Sequence, residues 1–159
     1  MTYEIASFQA SVDLPSLKID HTPAEIRQRV TDLADILKQY PQEDLPVQHE
    51  FLEGIYLRTV FMKAGTIVVG KIHKQEHVAI ISKGHATVHT EHGVVDMRAP
   101  FIFKSPPGVQ RALVIHEDMV WTTVHRSDHT DLEKLEEQLI AKDFTDPVLI
   151  ERAQKCLGA

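Results

Sequence analysis

Cysteine is almost missing from this chain: Cys156 is the only one among 159 residues. That excludes an internal disulfide and a cysteine-rich zinc site, and it suits a reducing compartment. Aromatic residues amount to 6%, with Trp121 the single tryptophan. That is too few for a stacking platform along single-stranded nucleic acid. Positive charge is in the minority, with 17 Lys and Arg against 23 Asp and Glu and a net charge of -6. No basic stripe is available for a phosphate backbone, so no nucleic-acid partner is expected. Apolar runs such as residues 66–70 are far shorter than the roughly 20 residues a membrane-spanning helix needs. Residues 1–17 carry no basic start and no apolar stretch of signal-peptide type, which points to the cytoplasm. With 7 glycines and 8 prolines, the chain is neither collagenous nor of low complexity.

What the chain does have is apolar content and histidine. Hydrophobic residues make up 43% of the chain, enough for a single domain over residues 1–159 to build one core without disulfides. The 10 histidines matter more, because imidazole is the commonest metal ligand and the side chain that titrates nearest neutrality. Where they fall decides the functional reading.

Three segments read as helices. Thr22-Pro23-Ala24-Glu25 is a capping box with proline at the first helical position. Ile26, Val30, Leu33 and Leu37 then form one face, predicting a helix over about 23–39. A second capping box, Thr130 to Glu133, opens a helix over about 131–141 with Leu132, Leu135, Leu139 and Ile140 inward. Asp146-Pro147 opens a third, about 147–157, with Leu149, Ala153, Cys156 and Leu157 inward.

Between them, residues 50–126 read as about eight short strands: 51–62, 66–73, 77–82, 85–90, 94–98, 101–104, 111–116 and 119–126. Lys83-Gly84 and Glu91-His92-Gly93 read as turns, and His116-Glu117-Asp118 as a polar hairpin turn. Short strands with turns every ~8–12 residues predict a sandwich or closed barrel. No helical pattern separates them, which argues against a parallel α/β sheet.

The informative segment is GTIVVGKIHKQEHVAIISKG, residues 65–84. It places Gly65, Lys71, His73, His77 and Gly84 at the spacing of the first motif of the cupin family, and Pro106, Gly108 and Arg111 at that of the second. The chain therefore resembles a cupin over about residues 65–126. The resemblance implies an all-β double-stranded β-helix (a jelly-roll barrel) with the N-terminal helix and the two C-terminal helices added around it. The stretches GKIHKQEH and VWTTVH also resemble short single-domain cupins encoded by bacteriophages, whose compartment would be the host cytoplasm.

Metal-binding cupins use three histidines and a glutamate. At those positions this chain has Lys71, His73, His77 and Arg111, so only His73 is retained. Lys71 and His73 are two apart on a strand and share a face. His77 can face His73 from an antiparallel neighbour, and Arg111 comes from another strand by the family's geometry. Two permanent cations favour a small anion such as a carboxylate or phosphate, with Arg111 as a bidentate fork and Lys71 as a point charge. The histidines allow one divalent metal (zinc, iron, nickel or manganese). His125, His116 or Glu76 could supply the third ligand, with His125 on the last strand the expected one. Without metal, His73 and His77 would simply tie neighbouring strands by hydrogen bonds.

Trp121, Thr123 and His125 share one strand face, and either face could line the pocket. His85 and His89 are expected on the outer face beside inward Ala86 and Val88, and His21, His49, His92 and His129 in loops or turns. The expected function is binding of a small anion, with one metal at His73, His77 and His125. The alternative is a non-catalytic interaction or assembly module, phage-related, with a degenerate pocket. A homodimer is expected in either case, as in the proteins this chain resembles.

Overall fold

The computed structural model describes residues 4–7 and 21–157, with side chains over 21–155. The reading of residues 1–17 falls largely outside the described residues, as does the inward placement of the Cys156 and Leu157 side chains. In chain order the elements are β1 (Glu4–Ser7), α1 (Pro23–Leu37), β2 (Val47–Leu52), β3 (Ile55–Met62), β4 (Thr66–Val69), β5 (Ile72–His73) and β6 (His77–Thr90). Then follow β7 (Gly93–Arg98), β8 (Phe101–Ser105), β9 (Ala112–Arg126), α2 (Leu132–Leu139), β10 (Ile140–Ala141) and α3 (Pro147–Leu157). No helix among the described residues is long and apolar enough to cross a membrane.

The long strands β6 and β9 pair along their whole length and belong to two sheets at once. Their first and second halves are bordered differently. One sheet runs β1-β4-β9-β6-β7, the other β2-β3-β9-β6-β8, and every pairing is antiparallel. Two such sheets sharing long strands make the double-stranded β-helix that the cupin resemblance implied. The inward rows interdigitate as one core: Val60, Met62, Val68, Ala79, Ile81, Ala86, Val88, Met97, Leu113, Ile115, Met119 and Trp121. Trimming a fully buried member such as Ile81 to alanine costs about 2–5 kcal/mol.

The strands are longer and fewer at the centre than the turn signals suggested. Lys83-Gly84 is not a turn, and His116-Glu117-Asp118 is not a hairpin; both lie inside β6 and β9. The register between the two strands shifts at Ile81/Lys83, Lys83/His85 and His85/Ala86, which marks a bulge. Gly84 has φ +95°, and a Cβ there would meet the Asp118 carbonyl oxygen at 2.5 Å. The glycine is required by backbone approach where both strands bend from one sheet into the other. Conversely, the expected strand over 51–62 is a hairpin, β2 and β3, turning at Glu53-Gly54 with Gly54 at φ +73°. The expected strand over 66–73 breaks at Gly70-Lys71 into β4 and β5.

The helices cover selected surfaces. The Thr22 capping box forms as expected, with Thr22 Oγ1 accepting from the Glu25 N–H and Glu25 Oε2 accepting from the Thr22 N–H. Val30, Ala34 and Leu37 then pack on Ile67, Val69 and Ala112, covering the outer face of the first sheet. The second helix is capped by Asp131, which accepts from the Lys134 N–H, one residue later than the expected Thr130. A carboxylate at the cap also meets the positive helix end. Leu135, Leu139 and Ile140 pack on Tyr56, but Leu132 is left 40% exposed, contrary to expectation. In α3, Leu149 is half-buried and Ala153 is exposed rather than inward.

Candidate functional site

The cavity opens between strands of both sheets. Its walls include Val60 and Met62 of β3, Val68 of β4, Leu113 of β9 and Trp121 and Thr123 farther along β9. Into this apolar shell project Arg58, Lys71, His73, His77 and Arg111. The cavity measures about 60 Å³, enough for a handful of waters at roughly 10–15 Å³ each. Only a small ligand fits.

Three histidines converge at one side of it. His73, His77 and His125 each offer a nitrogen within 4.8 Å of the others. Their ring centroids are 4.3 Å apart for His73–His77, 4.7 Å for His77–His125 and 5.1 Å for His73–His125. Each arrives from a different element. His125 sits near the end of β9 on the inward row with Trp121 and Thr123, which resolves which face lines the pocket. His77 opens β6. His73 ends β5, a two-residue strand whose only strand partner among the described residues is β10.

The placement of His73 is therefore built by sequence-distant segments. The Gly108 N–H donates to the His73 carbonyl at 2.8 Å, so the Pro106–Gly108 turn, with Gly108 at φ +78°, secures that strand. On the other side the Lys74 N–H donates to Leu139 O at 2.8 Å, Lys74 Nζ donates to Glu137 O, and Lys74 pairs with Asp146 at 3.2 Å. The C-terminal helices thus lock the residue beside His73. Tyr56 supports His125 by stacking at 6.0 Å, and its own hydroxyl is hydrogen-bonded to His49 Nδ1 at 2.8 Å. His49 lies in β2, not in a loop.

Burial and charge act together on these imidazoles. Burial, then the neighbouring His77, His125, Arg111 and Arg58, hold His73 well below its ordinary range. Burial lowers His77 to about 4, against a raising contribution from its bond to the Gln75 carbonyl. Burial, His77 and Arg58 lower His125 to about 3. All three are neutral at physiological pH, the form that binds metal. His77 Nδ1–H donates to Gln75 O at 3.3 Å, which leaves its Nε2 lone pair available. The Nδ1 atoms of His73 and His125 are buried with no hydrogen-bond partner.

The cationic side is more crowded than the spacing indicated. Arg111 donates through Nη2 to Ser105 Oγ at 2.8 Å and lies 5.4 Å over the Phe103 ring; burial lowers its pKa to about 10. Lys71 also lines the cavity. Arg58, only 2% exposed, is a third cation that the motif comparison missed. Its signal was present: β3 alternates Tyr56, Arg58, Val60 and Met62 inward, and an arginine on an otherwise buried row is unusual. The other candidates for a third ligand lie elsewhere. His116 bonds Thr87 Oγ1 at 2.7 Å, and Glu76 reaches Lys104 at 3.5 Å.

No family model and no curated protein matches the sequence. Among solved structures, the chain is similar to a cupin 2 conserved barrel domain protein from Salinispora arenicola, at 16% identity over 53% of this chain and 76% of that one, with a TM-score of 0.45. It is also similar to an RmlC-like cupin family protein with a double-stranded β-helix fold from Methanocaldococcus jannaschii (16% identity, 58% and 86% covered, TM-score 0.45). A cupin-2 domain containing protein from Shewanella frigidimarina gives 14% identity, 63% and 98% covered, and a TM-score of 0.43. The double-stranded β-helix itself rests on the strand register described above.

Proposed function

We propose that the barrel binds a small anion, a carboxylate or phosphate, beside one divalent metal held by His73, His77 and His125. The observation that carries this reading is the convergence of three neutral histidines, two of them with buried Nδ1 atoms lacking any partner. A buried nitrogen lone pair without a donor is costly, and a metal ion would satisfy it. The donor set fits: two metal–nitrogen bonds of about 2.0–2.1 Å put ligand nitrogens at most about 4.2 Å apart, and the nitrogens offered here already lie within 4.8 Å of one another. Neutral imidazole ligands suit zinc, nickel or iron better than manganese, which favours oxygen ligands.

A metal bound there would act as a Lewis acid toward an oxygen of the anion. The chain's own residues would do the rest. Arg111, already fixed by Ser105 and Phe103, presents an oriented fork to the anion. Lys71 and Arg58 supply further positive charge, and Trp121, Leu113 and Val60 exclude water. The net -6 of the chain is thus locally inverted at the cavity.

Metal analysis of protein purified without a histidine tag tests the first half. About one equivalent, lost in His77→Ala, is the expected result; no metal and no Zn²⁺ or Co²⁺ uptake on titration would overturn it. The second half is tested by melting-temperature shifts with small carboxylates and phosphates, which should shrink in Arg111→Gln.

A second reading has support in the same walls. Arg58, Lys71 and Arg111 surround the histidines with cations that repel a dication in a partly dry site. On that reading the pocket is vestigial and the barrel is a non-catalytic interaction or assembly module. Metal-free protein with no thermal response to the anions would select it.

A further inference from the structure

The two sheets differ on the outside. The first carries α1 on its outer face. The outer face of the second, β8-β6-β9-β3-β2, has no helix among the described residues packed on it and is apolar. Ile102 on β8 is 68% exposed and Val78 on β6 40% exposed. The register aligns one row straight across all five strands: Lys104, Val78, Val124, Leu57 and Glu50. Residues directly paired across antiparallel strands point to the same side of the sheet. The row therefore runs cation, three apolar residues, anion, along a single face.

We propose that this face pairs with the same face of a second copy of the chain, about a two-fold axis running along β9. Such an axis leaves positions along the strands unchanged and reverses the order across them. Val124 then meets the partner's Val124, Val78 meets the partner's Leu57, and Lys104 meets the partner's Glu50. The row is complementary to itself only in this arrangement: two ion pairs bracket an apolar centre. Lys104 and Glu50 are both exposed. The present partner of Lys104, Glu76 at 3.5 Å, is also exposed and leaves room for a second carboxylate. Sheets packed face to face align to within about 30°, which such an axis permits.

The size is adequate. Five strands at about 4.8 Å, and seven residues such as 55–61 at about 3.4 Å each, outline roughly 570 Å². Two such faces sum to about 1,100 Å², the range of smaller, transient interfaces. The inference is independent of the cavity reading, since no residue of the row lines the cavity.

Analytical ultracentrifugation of the full chain across a dilution series tests it. The wild type should sediment as a dimer, and Ile102→Glu should weaken association by about 30-fold or more while retaining the wild-type circular dichroism spectrum. Lys104→Glu and Glu50→Lys should each weaken it, and the double variant K104E/E50K should restore it. A wild type that is monomeric at high micromolar concentration overturns the proposal. So does a dimer indifferent to Ile102→Glu, or a charge exchange that fails to restore association.

Discussion

The molecule holds two histidine clusters, and they differ in how their nitrogens are satisfied. The His85 and His116 rings lie 4.8 Å apart and tilted by 41°, near the bulge. His85 Nε2 meets Asp96 Oδ1 at 2.5 Å, its Nδ1 meets Arg98 Nη2 at 3.0 Å, and His116 Nε2 meets Thr87 Oγ1 at 2.7 Å. Arg98 goes on to Glu117 at 2.8 Å, so the network is closed. His73, His77 and His125 are packed as tightly, but two of their Nδ1 atoms have no partner and burial keeps them neutral. Proximity of imidazoles alone therefore marks nothing. An unsatisfied lone pair in a buried, charge-lined cavity is what separates a candidate site from a strand-tying network.

The comparison can be broken most severely at the bend between the clusters. Gly84→Ala places a Cβ 2.5 Å from the Asp118 oxygen at a positive φ, and should cost about 3 kcal/mol or more, or prevent folding, as read by urea denaturation. Acid should separate the clusters next. For each buried histidine the native pKa lies below the unfolded value near 6.5, so the unfolded state binds more protons. In the metal-free protein, stability is full above about pH 6.5 and falls as pH drops toward 4 and 3. Each histidine contributes a slope of up to about 1.4 kcal/mol per pH unit. Denaturation curves at several pH values check this, and His77→Asn should flatten the slope.

Metal affinity sharpens the contrast further. His125→Ala should lower Co²⁺ or Zn²⁺ affinity by about 100-fold, whereas His85→Ala should change it less than about two-fold; calorimetric titration of both variants decides. The smallest effect is expected from the cationic wall. Arg111→Gln should reduce small-carboxylate affinity about ten-fold with metal content unchanged, because only one charge-assisted fork is removed. An equal loss in both readouts would mean that Arg111 holds the histidines in place rather than the anion.

Much of the architecture was legible in the chain because local chemistry set it. The Thr22 box started α1 where expected, and the alternation of Ala86 and Val88 with His85 and Thr87 identified the core face of β6. Errors came where one residue type serves two purposes. Gly84 looks like a turn and is a bulge, since glycine answers both positive φ and close backbone approach. Arg58 was overlooked because no motif holds it, although its inward position follows from the period of β3.

Strand periodicity and caps were enough to specify a sandwich or barrel with helices added at both ends, and the cupin resemblance chose the double-stranded β-helix. Each is a relation among near neighbours, and steric and hydrogen-bonding preferences act at that range. The meeting of His125 with His73 and His77, and the hold that Leu139 and Asp146 exert beside His73, are contacts between distant segments. Only the closed barrel decides them, because burial, neutral imidazoles and unmatched nitrogens arise when chain folding removes water from that point.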